Sequence, residues 1–308
     1  PFERFYFSNF CVSHNIYSEK QFANAARLWK RIVELGGGRA PMDSYLYALS
    51  LLRSGDAKGA FKAFEAHYKR FPNDVKSLNQ YALAAWLAEE YERLPGIVNA
   101  IPKPSPDFLY LKGSAEQILQ RYGDALKTML RYERSRKWED EGKRTSFRMG
   151  LILLADKAKR LDVAERFLLP MLEADPENPE LLNLLGYLYA DAGVKLDQAQ
   201  ALLEKALKAD PENSAILDSM AWVLYRRKEF GKAREYIQKA LLRGGTPADP
   251  VILEHAGDIF YGAGEKKKAL EYWKRALEFY SPDVDPERVL SKILQAEQGR
   301  KSGAEEKK

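Results

Sequence analysis

The chain has 308 residues, above the ~150 that serve as a soft prior for one domain, so it holds two compact domains or one extended array. An apolar fraction of 45% excludes wholesale disorder, and no run approaches the ~20 apolar residues of a membrane helix. Basic and acidic residues, 49 against 44, are interleaved to a net +5, a balance that speaks to solubility and does not mark a nucleic-acid binder. A single cysteine, Cys11, excludes an internal disulfide and a cysteine-built zinc site, and His14, His67 and His255 have no ligand spacing. Residues Pro1–Phe10 lack a basic region followed by an apolar run, so they do not read as a secretory signal.

In chain order, Phe2, Phe5, Tyr6, Phe7 and Phe10 are too apolar for a solvated end; they either pad a first groove or pack on repeats further upstream. Gly36-Gly37-Gly38 follows an apolar helix ending near Leu35 and reads as a helix cap or loop. Along the chain a mark recurs at Ala25, Ala60, Leu94, Ala125, Ala164, Ala199, Ala233 and Ala269, at intervals of 35, 34, 31, 39, 35, 34 and 36 residues. Proline closes several units twelve residues later, at Pro72, Pro176 and Pro211, because it cannot continue a helix interior. The short interval contains Pro102, Pro104 and Pro106, which cut the preceding helix short. The long interval contains Arg131 to Arg148, with Trp138 among charges, and is either an extended second helix or a protruding loop.

The last three copies are the clearest. Leu182, Leu185, Gly186 and Tyr189 align with Leu217, Met220, Ala221 and Leu224, and with Leu253, Ala256, Gly257 and Phe260. Each set is spaced i, i+3, i+4, i+7, the stripe of an amphipathic helix. Later alanines (Ala199 and Ala206, Ala233 and Ala240, Ala269 and Ala276) mark a second, antiparallel helix, and the small residues let the two backbones approach closely. Gly262-Ala263-Gly264 falls in the turn between two such helices and lacks the spacing of a phosphate loop. Asp285 to Gln298 reads as a terminal amphipathic helix that caps the array, and Gly299 to Lys308 as a charged, disordered tail.

This pattern resembles the tetratricopeptide repeat, a helix–turn–helix unit of 34 residues. The resemblance implies an all-α, right-handed superhelical solenoid of about eight helix pairs over residues 8–280 with a C-terminal capping helix. The expected divisions are divergent N-terminal units over 1–104, irregular units over 105–178, well-matched units over 179–281, the cap over 282–298 and the tail over 299–308.

No G-x-S-x-G elbow, Cys–His spacing or H-E-x-x-H motif is present, so the sequence points to no enzyme, no cofactor and no metal. His67 reads as a packed structural histidine, and His255 lies beside the core set of a first helix. What stacked helix pairs can do is bind, on the concave surface built from the first helices. The candidates for that surface are Asn183 and Tyr187; Asp218, Trp222, Tyr225 and Arg226; Glu254, Asp258 and Tyr261; and, earlier, Tyr45, Arg53, Asn79, Trp86 and Tyr110. Large aromatics beside fixed polar groups suit protein or peptide recognition. The rival expectation is that Trp222 and Tyr225 pack against the adjacent first helix. Nucleic acid is disfavoured, since the cations of Arg131–Arg148 alternate with Glu133, Glu139, Asp140 and Glu141.

The runs Leu217–Ala233 and Ala248–Phe260 are similar to a bacterial family of tetratricopeptide lipoproteins exported to the periplasm, some anchored in the outer membrane. That resemblance, over Pro179 to Tyr280, implies a non-catalytic adaptor that binds a carboxyl-terminal processing protease or its substrates. Residues Ser8-Asn9-Phe10 before Cys11 are not the small-residue motif of a lipidated cysteine, so any membrane anchor is expected upstream of this chain. The alternative is an assembly chaperone for secretion, pilus or polysaccharide-export machinery, in the cytoplasm or periplasm.

Overall fold

A computed structural model describes residues 19–35, 40–245 and 248–305, with side chains through Gln298. The expectations for the opening aromatics, Cys11, His14 and Gly36–Gly38 lie outside the described residues, as do the last three residues of the expected tail. Among the described residues there are sixteen α-helices and no strand, and no helix is long and apolar enough to cross a membrane.

Contacts divide the chain into two units, Pro1–Phe147 and Arg148–Lys308. In the first unit the described residues begin with α1 (Glu19–Leu35). Three complete pairs follow: α2 (Pro41–Arg53) with α3 (Ala57–Arg70), α4 (Leu78–Leu87) with α5 (Leu94–Ala100), and α6 (Pro106–Ile118) with α7 (Tyr122–Ser135). The unit boundary falls inside α8 (Glu141–Lys157). In the second unit α8 pairs with α9 (Leu161–Ala174), α10 (Pro179–Ala192) with α11 (Leu196–Ala209), α12 (Ser214–Arg226) with α13 (Phe230–Arg243), and α14 (Pro250–Gly262) with α15 (Lys266–Ala276). The last helix, α16 (Pro286–Glu305), continues seven residues beyond Gln298, where a disordered tail was expected.

Local chemistry explains where these helices start. Asn178, Asn213 and Asp249 accept hydrogen bonds from the first free amides of α10, α12 and α14, and Pro179 and Pro250 occupy first-turn positions whose amides would go unbonded. The turn inside each pair contains a left-handed residue. It is Gly55, Gly193 or Gly264 in three pairs, with Lys195 as a second in the Gly193 turn, but Glu89, Gln120, Lys159 or Lys228 in the others. The sequence reading missed this repeat of backbone conformation, since only the glycines advertise it.

The short interval behaves as its prolines dictate: α5 has seven residues and stops at Ala100. The long interval is neither an extended second helix nor a protruding loop. Helix α7 ends at Ser135, a short connection follows, and α8 takes the extra length. Trp138 in that connection is packed, with ring centroids 6.0 Å from Tyr132 and 5.4 Å from Phe147, and its Nε1–H donates to the Glu133 carbonyl at 3.1 Å. Edge-on aromatic contacts of this kind hold a connection against its helix.

Close approach of paired helices rests on the small residues. A Cβ on Gly186 would lie 2.7 Å from Leu203 Cγ, and one on Gly257 would lie 2.7 Å from Trp273 Cγ. Trp273 cannot yield easily: it is buried, and its Nε1–H donates to Asp258 at 2.9 Å. Gly257→Ala is therefore expected to destabilise by about 1–3 kcal/mol despite alanine's better helix propensity. Lys228→Gly, at a left-handed position, is expected to stabilise by about 0.5–1 kcal/mol. Urea unfolding of both variants checks the opposite signs.

A candidate polypeptide-binding face

Helices α8, α10, α12 and α14 are the first members of their pairs in the second unit, and the last three carry their candidate residues at the same offset from the small residue. Asn183 and Tyr187 flank Gly186, Asp218 and Trp222 flank Ala221, and Glu254 and Asp258 flank Gly257. At ~100° per residue these positions, with Tyr225 and Tyr261, fall on one side of their helices. Several of them are buried, where an open surface was expected.

Trp222 is only 8% exposed, a correction to its expected place on the open surface. Its ring is stacked between Tyr225 at 5.0 Å and His255 at 4.2 Å. Asp218 is likewise buried, because both its carboxylate oxygens accept from His255 Nδ1–H at 2.9–3.0 Å. Glu254 is buried too, with Arg288 and Lys292 of α16 each 2.9 Å from it. Tyr187 is half-buried, 6.3 Å from His255. Burial pushes the Tyr187 phenol well above its ordinary range, and the nearby Asp191, Asp156 and Asp218 carboxylates add to this. Asn183, Tyr225, Arg226 and Asp258 are half-buried, and Tyr261 is exposed.

Arg226 crosses from α12 to the end of α10, where its Nη1 donates to the Asp191 carbonyl at 2.5 Å. Room for the guanidinium comes from Gly193, whose missing Cβ would stand 2.5 Å from Nη2. Asp258 accepts from Trp273 at 2.9 Å and pairs with Lys292 at 2.6 Å. Two buried atoms on this face, Trp222 Nε1 and Asn183 Oδ1, have no hydrogen-bond partner among the described residues. An unmet donor or acceptor in such a place costs about 1–3 kcal/mol.

Across this surface lies the chain's own C-terminal segment. Asp283 pairs with Lys157 at the end of α8, 3.0 Å away, while Arg288 and Lys292 reach α14. Asp283 also helps burial and Asp191 to raise the Asp156 carboxyl, against the pull of Lys159 and Lys157. The sequence reading missed Lys157, Asp283, Arg288, Lys292 and the central role of His255. One signal was available: Arg288 and Lys292 share the four-residue spacing of Glu254 and Asp258, with opposite charge.

The candidates of the first unit stay within their own pairs or the pair beside them. Tyr45 is half-buried against Phe64 and His67, at 6.2 and 6.3 Å, and Arg53 lies over the Phe22 ring at 5.4 Å. Trp86 packs on Tyr91 at 5.4 Å and Tyr110 on Tyr132 at 5.3 Å, while Asn79 is exposed. His67 is the packed histidine expected, held between the Ser44 hydroxyl at 2.7 Å and Asp74 at 2.9 Å.

His255 gives the face a pH dependence. Burial alone would lower its imidazole, but the Asp218 carboxylate, with Asp258 and Glu254 nearby, outweighs it and raises the ring above the ordinary 6.5. A raised folded value means that the pair's contribution is complete below pH 6.5 and is lost as pH climbs through that raised value. His255→Asn should therefore cost stability, on the order of 3 kcal/mol at pH 6, and less at pH 9. Unfolding curves for both proteins across that range check it; a constant difference would contradict the charged pair.

Models of the tetratricopeptide repeat match residues 17–75 and 191–251. No curated protein matches the chain in sequence. In structure it is similar to a tetratricopeptide repeat protein from Parabacteroides merdae ATCC 43184, with a TM-score of 0.51 at 12% identity, covering 87% of this chain and 98% of that one. It is also similar to a thermophilic protein of the same repeat class from Thermus thermophilus (TM-score 0.48, 19% identity, 62% and 98% coverage). Yeast Tom70 aligns over 92% of this chain with a TM-score of 0.44 at 18% identity, and the alignment spans only 60% of Tom70. Residues 17–75 and 191–251 are thus similar to the tetratricopeptide repeat in sequence, and the repeated helix pairs with their shared small-residue contact have the fold of that repeat.

Proposed function

We propose that the chain is a non-catalytic scaffold whose first-helix face in the second unit grips a segment of a protein partner. One observation carries the reading: that face already seats a polypeptide, residues 281–292 of the chain itself, through ion pairs to helices two pairs or more apart in the stack. Stacked helix pairs supply such a seat because each contributes one row of side chains to a continuous surface. The buried indole and imidazole between rows, with Arg226 beside them, have the composition that dominates binding energy in protein interfaces.

The partner class we propose is a carboxyl-terminal processing protease or its substrates, in the bacterial periplasm. The runs Leu217–Ala233 and Ala248–Phe260 support this through their likeness to exported lipoprotein adaptors.

A photo-cross-linking residue placed at Tyr261, exposed on the first-helix side, should capture the partner, while the same residue at Lys239 on the second helix α13 should not. Peptide mapping of the adduct checks both positions. Capture from Lys239 alone would reject this face. One stoichiometric protease among the adducts supports the adaptor role, and a spread of substoichiometric clients would replace it with that of an assembly chaperone.

A further inference from the structure

Residues 281–296 are held more lightly than the first helices of the neighbouring pairs. Helices α10, α12 and α14 bury seven, nine and eight residues, whereas Pro286–Gln298 buries Val289, Ile293 and Ala296, as few as the second helices α11 and α13. Only Val284 is buried in the connection before it. The polar attachment is largely ionic and its outer members face solvent: Asp283 and Arg288 are 57% and 55% exposed on their side chains. On the same face, Trp222 Nε1 and Asn183 Oδ1 have no hydrogen-bond partner among the described residues.

Removing this segment in thought reveals what the face prefers. Asp218, Glu254 and Asp258 lie in adjacent rows, and Arg288 and Lys292 balance the latter two. His255 answers Asp218 alone. At the far end the sign reverses, with Lys157 answering Asp283. A buried carboxylate without its cation is strongly unfavourable, so a vacated face selects a replacement of matching charge.

We infer that residues 281–296 are an internal occupant of this face, displaced by an external polypeptide segment of the same chemistry. That segment carries an acidic residue and then a short amphipathic helix. The helix bears two basic side chains one turn apart, as Arg288 and Lys292 are, beside two aliphatic ones placed like Val289 and Ile293. Its backbone or side chains can also meet the Trp222 donor and the Asn183 acceptor, which the internal segment leaves unmet. The inference rests on the proposed function and names the partner's recognition chemistry.

The test uses the full chain and a fluorescein-labelled peptide with the sequence of residues 279–298. In the Arg288→Ala/Lys292→Ala chain, whose own segment is loosened, the peptide should bind at least tenfold more tightly than to the unaltered chain. A peptide with both basic residues replaced by Glu should bind neither. Equal affinity for the two chains, or binding of the reversed-charge peptide, overturns the inference. Should the double variant unfold, hydrogen exchange on the unaltered chain decides. Raising NaCl from 0.1 to 0.6 M should speed exchange of residues 281–296 several-fold and leave α12 and α14 protected. Exchange of the segment in step with α14 marks it as a fixed part of the fold and overturns the inference. Cross-linking from Tyr261 that succeeds while the peptide test fails leaves the proposed function standing without this partner chemistry.

Discussion

The contact on which this architecture depends is the one between a first helix and its own second helix at a position that carries almost no side chain. Gly186 lies against Leu203 and the Ala199 carbonyl, Gly257 against Trp273, and Gly113 against Met129. Because the backbones meet there, the rotation of each first helix about its axis is fixed. Residues three before and one after the small residue then fall roughly 60–100° round the helix, on the same side in every pair. A packing requirement inside the pair thus decides which residues make up a surface outside it.

What that surface does with its residues follows from a second level of packing, between neighbouring pairs. His255 donates to Asp218 of the preceding pair and stacks on its Trp222. A protonated imidazole over an indole adds an electrostatic attraction to the area it covers, and the Asp218 carboxylate, against the opposing effect of burial, favours the charged ring. Arg226 plays a comparable part toward α10, possible only because Gly193 has no side chain in its way. These links run along the stack and make its rows a single surface.

Electrostatics sets the character of that surface. Surface ion pairs are worth little singly, but Glu254 is buried and receives two cations, so its pairing is of the consequential kind. The cations come from a helix that buries fewer of its residues than α10, α12 or α14 do. A strong local interaction therefore sits on an element with a small buried face, the combination that the inferred exchange of occupants requires.

The periodic alanines and glycines were legible in sequence because helix pairing imposes a fixed spacing on small residues, and so were the short α5 between its prolines and the side of the helix that holds Asn183, Tyr187, Trp222 and Asp258. These are local requirements, met within about one repeat. Left-handed turns at Glu89, Gln120, Lys159 and Lys228 were not legible, since side-chain identity does not announce a conformation the surrounding pair imposes. Nor were the burial of Asp218, Trp222 and Glu254, the central place of His255, or the pairing of Asp283 with Lys157. Each depends on residues from different repeats meeting in space, and Lys157 and Asp283 stand at opposite ends of the second unit's sequence. The sequence by itself determined the repeat and its phase; only the tertiary structure decided which first-helix residues are covered and by what, because burial and charge pairing belong to neighbours that periodicity does not name.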